Sequence, residues 1–320
     1  MNSDLKKGRR DYSIIGLVLV AVFLLSQGGM YLIYFLTDGN ISSLFGGLFT
    51  ENDAYILLSG GIMYLFAIPI GLLLLHFLPS TQPQKERLGS QFFQWLLICF
   101  PIISAGALIG NLLSFLLSFG NASNPTDSLS GLSIGVQFVC VVVLAPIFEE
   151  LLFRRAIIRH SVRYGEKTAI LFSATAFALF HGNLFQFFYA FGIGLLFGYI
   201  YVRTGKLIYT IFLHAIINFW GTIVAQFVIT NTPAFFVSND LRSLLHLTFQ
   251  IVVTLNYYLI SYGTLVGGII LLCKKVRRLY FRPAPLELPT GKSIQLSFVN
   301  PGAILFAILC TAEIVISLLP

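Results

Sequence analysis

Apolar positions in this chain fall into nine long runs, at about residues 13–36, 54–79, 91–118, 132–158, 167–181, 186–203, 206–229, 244–273 and 302–319. Crossing a bilayer core of about 30 Å takes about 20 helical residues, so most of these runs predict one transmembrane helix each. The fifth and sixth are short, and only His181-Gly182-Asn183-Leu184-Phe185 separates them. That spacing predicts a helical hairpin whose tip stops inside the membrane. The expected fold is all-α, a polytopic transmembrane bundle of about eight or nine spans.

Composition strengthens this picture. Of the 320 residues, 57% are apolar or aromatic and 10% are charged, with a mean hydropathy of +0.85, whereas a soluble chain carries about 25% charged residues. A water-soluble enzyme, a nucleic-acid binder and a disordered scaffold are all disfavoured. The net charge of +7 reads as topology. With the N-terminus in the cytoplasm, the inner segments hold Lys6, Lys7, Arg9 and Arg10; Lys85 and Arg87; the group from Arg154 to Lys167; Arg203 and Lys206; and the group from Lys274 to Lys292. Those segments contain 19 of the 20 basic residues, and only Arg242 falls outside. The outer loops instead carry Asp38, Glu51, Asp53, Asp127 and Asp240, as the positive-inside rule requires. No nucleic-acid partner is expected.

The basic start and first apolar run resemble a secretory signal, but the run exceeds 20 residues and lacks a small-x-small cleavage site, so it reads as a retained span. Cys99, Cys140, Cys273 and Cys310 lie in predicted spans without paired spacing, which argues against a disulfide framework or a thiolate metal site. The chain divides into N-terminal helices (1–125), a central helical core (126–232) and C-terminal helices (233–320) with a basic cytoplasmic linker at 274–301, solvated or touching anionic lipid headgroups.

Ionisable groups at membrane depth are costly and therefore mark candidate chemistry. All six aspartates lie in loops or tails, which leaves Glu149, Glu150 and the distal Glu313 as intramembrane acids. On a helix Glu150 and Arg154 are i,i+4 and can neutralise each other. Glu149 lies about 100° away around the axis and is expected to point elsewhere, toward another partner. Giving one of two adjacent carboxylates an arginine separates their roles: one becomes structural and the other can act as a base.

Two histidine motifs accompany the acids. His181 ends the fifth run one turn beyond Phe177, which can wall the same pocket, and His214 precedes Asn218 by one turn on a single face. A rise of about 1.5 Å per residue puts His181 roughly 20 Å from Lys167, His214 roughly 12 Å from Lys206 and Glu149 roughly 15 Å from Arg159. The three meet only if the fourth helix continues past Arg154 to about Arg159–Arg163 and carries Arg154 into the membrane. Other sites fail on residue grounds. There is no His-Glu-x-x-His and no intramembrane aspartate, while Gly131-Leu132-Ser133-Ile134-Gly135 enters a helix with no preceding strand and reads as loop and packing. Gly106/Gly110, Gly194/Gly198 and Gly263/Gly267 read as small-residue helix contacts. His76, His160 and His246 receive no catalytic role.

Glu149-Glu150-x-x-x-Arg154, Phe177-x-x-x-His181 and His214-x-x-x-Asn218, in this order on separate helices, resemble the CAAX protease and bacteriocin-processing (CPBP, or Abi) intramembrane endopeptidases, which include the type II prenyl endopeptidases. The resemblance covers roughly residues 130–230. It implies peptide-bond hydrolysis in the membrane: Glu149 as general base, His181 holding the water, His214 and Asn218 polarising the carbonyl, and Glu150, Arg154 and Phe177 supporting them. Zinc on Glu149, His181 and His214 is the alternative, but Asn218 suits an oxyanion donor better than a ligand, so a metal-independent enzyme is expected. The expected partners are a membrane-bound peptide or protein substrate and the lipid bilayer, in a bacterial plasma membrane. Two other classes stay open: a non-catalytic relative regulating a membrane partner, and a proton-coupled transporter, which the absence of an internal repeat weakens.

Overall fold

A computed structural model of the chain describes residues 3–83, 86–125, 127–231 and 241–319. Lys85 and Asp240 fall outside these residues, and the side chains of Arg242 and His246 are not described. The described residues are helical with no strand. Ten helices follow in order: α1 (Ser3–Leu36), α2 (Glu51–His76), α3 (Gln91–Leu117), α4 (Ile134–Tyr164), α5 (Glu166–Phe180), α6 (Leu184–Thr204), α7 (Leu207–Thr230), α8 (Leu241–Val276), α9 (Thr290–Phe298) and α10 (Pro301–Ile316). Polar side chains start several of them. Thr50 accepts from the Asp53 amide at 3.1 Å, Asn183 from Gln186 at 2.9 Å and Asn300 from Ala303 at 3.0 Å. Ser133, from the rejected Gly-x-Ser-x-Gly pattern, likewise caps α4, and its amide donates to the buried Asp53 carboxylate at 2.9 Å.

Seven of the described helices are long and apolar enough to cross a membrane, or eight if the pair Gly291–Phe298 and Pro301–Ile316, bent by 65°, is one span. The difference from nine lies at the fifth and last runs. Helix α5 has 15 residues, about 22 Å, so it enters the bundle without crossing it. The segment expected as a linker is partly structured. Amides of Leu286 and Leu288 donate to the carbonyls of Arg163 and Tyr164, and Leu288 and Leu296 are buried in the core, so α9 is held down as a short packed helix.

Basic segments distant in sequence gather at one end of the bundle. The Thr81 amide donates to the Arg159 carbonyl, Glu86 to Arg203, and the Tyr164 hydroxyl to Asp11 at 2.6 Å. Many large apolar side chains, such as Leu73 and Leu259, face outward, as a hydrocarbon surrounding allows.

Glycines set the closest crossings. A Cβ on Gly106 or Gly110 would strike backbone of α6 near Tyr189 and Leu184–Phe185, and one on Gly194 would strike Ala174 of α5. The Gly263/Gly267 reading is corrected: both face open space, and the contact to α3 is made instead by Gly268 against the Leu97 carbonyl. The helix turn that faces α3 is one residue later than the pattern suggested. A further crossing, Gly16 of α1 against Gly302 of α10, fastens the C-terminal helix to the N-terminal one. Gly106→Leu is expected to destabilise the protein by about 1–3 kcal/mol, since backbone cannot yield as a side chain can. Gly263→Leu is expected to leave it unchanged, and thermal melts in detergent compare the two.

Candidate active site

The central residues meet where α4, α5, α6 and α7 converge. Helix α4 runs unbroken through Arg154 to Tyr164, meeting the condition that the depth argument set. It does so with two widened stretches of π geometry, Gln137–Leu144 ahead of the Glu-Glu pair and Glu150–Ile158 beginning at its second member. Such widened turns recur at functional sites because they re-aim side chains.

Glu150 and Arg154 are both fully buried, with Arg154 Nε 3.2 Å from Glu150 Oε2. The contact is ionic rather than an aligned hydrogen bond, and the guanidinium is sandwiched by aromatic faces, its Cζ 4.2 Å from the Phe177 centroid and 5.6 Å from that of Phe197. Cation–π attraction is strongest where water is excluded, so these rings help hold a charge at membrane depth. The other Glu150 oxygen, Oε1, lies 3.1 Å from His214 Nδ1. Glu150 therefore joins α4 to α7.

The expectation that Glu149 points away from Glu150's partners needs correction. Both glutamates address the same imidazole from opposite edges: Glu150 faces Nδ1, and Glu149 Oε2 lies 3.8 Å from Nε2. The partner that Glu149 was expected to find is the far side of His214. At 3.8 Å the two atoms are too distant for a direct hydrogen bond.

His181 closes the group through Phe177. Its Nδ1 lies 2.8 Å from the Phe177 carbonyl, and its ring stands edge-on to the Phe177 ring at 4.8 Å, while His214 contacts the same ring at 6.0 Å. Asn218 is turned to a backbone task. The Ala145 amide pairs with the Cys140 carbonyl in the widened turn, and Pro146 has no N–H, so the Val141 carbonyl accepts from Asn218 Nδ2 at 2.8 Å. One amide proton of Asn218 is thereby committed and the second is left over.

Three neighbours were not foreseen. Tyr64 of α2 stands beside Glu149 with its ring stacked on Phe148, Phe197 of α6 walls Arg154 and His214, and the buried Thr210 lies beside Glu150. Thr210 had a signal, since Thr210, His214 and Asn218 follow at i,i+4 on one face. Glu313 packs against the hairpin turn: its Cγ lies 2.9 Å from where a Cβ on Gly182 would stand, and Gly182 holds a φ of +64°. His160 is structural, with Nδ1 3.2 Å from the Pro79 carbonyl. Among the described residues no three His, Cys, Asp or Glu side chains converge as a metal-ligand set.

The segment carrying this cluster defines a class: residues 131–220 match the family model described as Type II CAAX prenyl endopeptidase Rce1-like, which bears out the resemblance read from the motifs and points to a membrane-embedded peptidase. The chain is also 24% identical over 166 residues to a protein of Bacillus subtilis (strain 168) named "Putative membrane peptidase YdiL", a match covering 49% of this chain and 67% of that one. No solved structure matches the chain.

Removing Arg154 alone leaves Glu150 as an uncompensated buried charge. Arg154→Met is expected to cost about 3–5 kcal/mol in denaturant unfolding in micelles. Adding Glu150→Gln to it is expected to restore most of that loss.

Proposed function

We propose that this protein is an intramembrane endopeptidase that hydrolyses a peptide bond of a membrane-associated protein or peptide with water activated by Glu149. The observation that carries the reading is His214 held between two carboxylates, one neutralised by Arg154 and the other free to work, inside the segment that matches the prenyl endopeptidase family. A His214 that carries both ring protons is the donor form this reading uses.

The residues then divide the work. Glu150 fixes the Nδ1–H of His214, which leaves Nε2–H as a donor aimed at the space beside Glu149. A His181 that donates Nδ1–H to the Phe177 carbonyl presents the lone pair of Nε2, an acceptor for one proton of the attacking water. Glu149 takes the other proton as the water oxygen adds to the scissile carbonyl carbon. The oxyanion is met by His214 Nε2–H and the second amide proton of Asn218. Glu149 then returns its proton to the departing amine as the C–N bond breaks, giving a carboxylic acid and an amine. This route uses side chains alone, with the N-terminus in the cytoplasm and the protein in a bacterial plasma membrane.

Glu149→Gln keeps the shape and removes the base. It is expected to lower turnover by about 10²–10⁴-fold in protein that still folds and purifies as a single species. In cells, comparison of peptidomes is expected to show an uncleaved membrane peptide accumulating. A variant that retains full cellular function at normal abundance would instead favour a non-catalytic regulator, and activity lost to a chelator and restored by zinc would overturn the metal-free route.

A further inference from the structure

Away from the catalytic cluster, a cavity of about 510 Å³ opens at the basic end of the bundle, between the start of α3 and the ends of α6 and α8. Its lining is chemically selective. Arg87, Arg203, Lys274, Lys275 and Arg278 line it, and Glu86 is its sole carboxylate among the described residues. Glu86 is already occupied: Oε1 accepts from the Tyr280 hydroxyl at 2.6 Å and from Arg282 at 3.0 Å.

Topology alone explains basic residues at this end of the bundle but not their convergence or the burial of Arg203. Arg203 is only 4% exposed, and although Nη2 pairs with Glu166, its Nε and Nη1 have no hydrogen-bond partner. An unsatisfied buried donor costs about 1–3 kcal/mol, more when charged. Such a cost is met when a ligand supplies the acceptor. Aromatic rings hold the cations in place meanwhile: Lys275 Nζ lies 4.4 Å above the Trp95 ring and donates to Gln91 Oε1 at 3.1 Å, and Arg203 Cζ lies 4.8 Å from the Tyr280 centroid. Tryptophan and tyrosine at the ends of spans mark the headgroup level of a bilayer.

We infer that this cavity is a binding site for a phosphate group at the membrane interface, with Arg203 as its buried anchor and Lys274, Lys275 and Arg278 closing over the anion. The phosphate comes either from an anionic phospholipid headgroup or from a soluble phosphate. Guanidinium forks suit phosphate oxygens, and a cavity of this size holds a glycerophosphate headgroup.

The chain has two tryptophans, Trp95 and Trp220, so Trp220→Phe leaves the cavity's own reporter. The full-length variant in phosphatidylcholine nanodiscs is titrated with dihexanoyl phosphatidylglycerol, dihexanoyl phosphatidylcholine and inorganic phosphate while Trp95 emission is followed. Phosphatidylglycerol is expected to give a saturable change that phosphatidylcholine does not, with the midpoint moving at least tenfold higher in Lys274→Gln/Arg278→Gln. Both substituted residues are exposed, so folding is preserved. Saturation by inorganic phosphate at lower concentration than by phosphatidylglycerol assigns the site to soluble phosphate, and the reverse order assigns it to lipid. Equal saturable responses to the two lipids, no response to either phosphatidylglycerol or inorganic phosphate, or an unmoved midpoint in the double variant, overturn the inference. The readout is binding alone and is independent of peptidase activity.

Discussion

A fully buried carboxylate in the middle of a membrane bundle is the constraint from which the rest of this structure follows. Glu150 cannot stay ionised at that depth without a positive partner, and Arg154 lies one turn away on the same helix. Holding both below the surface requires α4 to continue well past Arg154. That length in turn carries the interfacial arginines and Tyr164 to the basic end, where Tyr164 meets Asp11 of α1. The second Glu150 oxygen takes His214, so satisfying one acid draws α7 against α4. The guanidinium, left with few hydrogen-bond partners, needs ring faces instead, and these come from Phe177 of α5 and Phe197 of α6. One charge thus specifies the mutual placement of four helices.

Backbone chemistry sets the neighbouring geometry. Proline at position 146 removes an amide just before the acids, and the helix widens ahead of them and again from Glu150 onward. The resulting free carbonyl at Val141 is met by Asn218, whose role is therefore double: it repairs α4 and remains beside His214 with a spare donor. A second widened stretch begins at Glu150, and there Glu149 and Glu150 stand around one imidazole. In an undistorted helix they would diverge by about 100°.

Much of this was legible in the chain. The runs of apolar residues, the clustering of basic residues at one end and the meeting of Glu149, His181 and His214 at one level of the bundle all depend on rise per residue and hydropathy, which are local quantities. The convergence of both glutamates on His214 was not legible, because it depends on the widened turn, and no single residue announces that. Tyr64 lies about eighty residues before the acids with no motif of its own. Gly263 and Gly267 have the spacing of a helix contact, but spacing does not say which face of α8 meets α3, and Gly268 makes that contact instead. The helix Thr290–Phe298 was hidden for the opposite reason, since the prolines and charges before it look like solvated chain while Leu288 just ahead of it and Leu296 within it are buried in the core.

Glu313 shows how the flanking helices border the core. It is the remaining acid at membrane depth, and it comes from α10, a helix fastened to α1 through Gly16 and Gly302, outside the segment that matches the peptidase family. Its side chain packs on Gly182, the residue after His181, at a turn whose positive φ favours glycine and whose missing Cβ leaves room for the acid's methylenes. The position of the His181 loop is thus bounded from outside the segment that matches the family model, just as Tyr64 of α2 borders Glu149. A core of four helices can supply the base, the imidazoles and the ion pair. The side chains that border them, Tyr64 and Glu313, belong to the N-terminal and C-terminal helices, so exchanging those helices would change the surroundings of the cluster while leaving the Glu150–Arg154 pair in place.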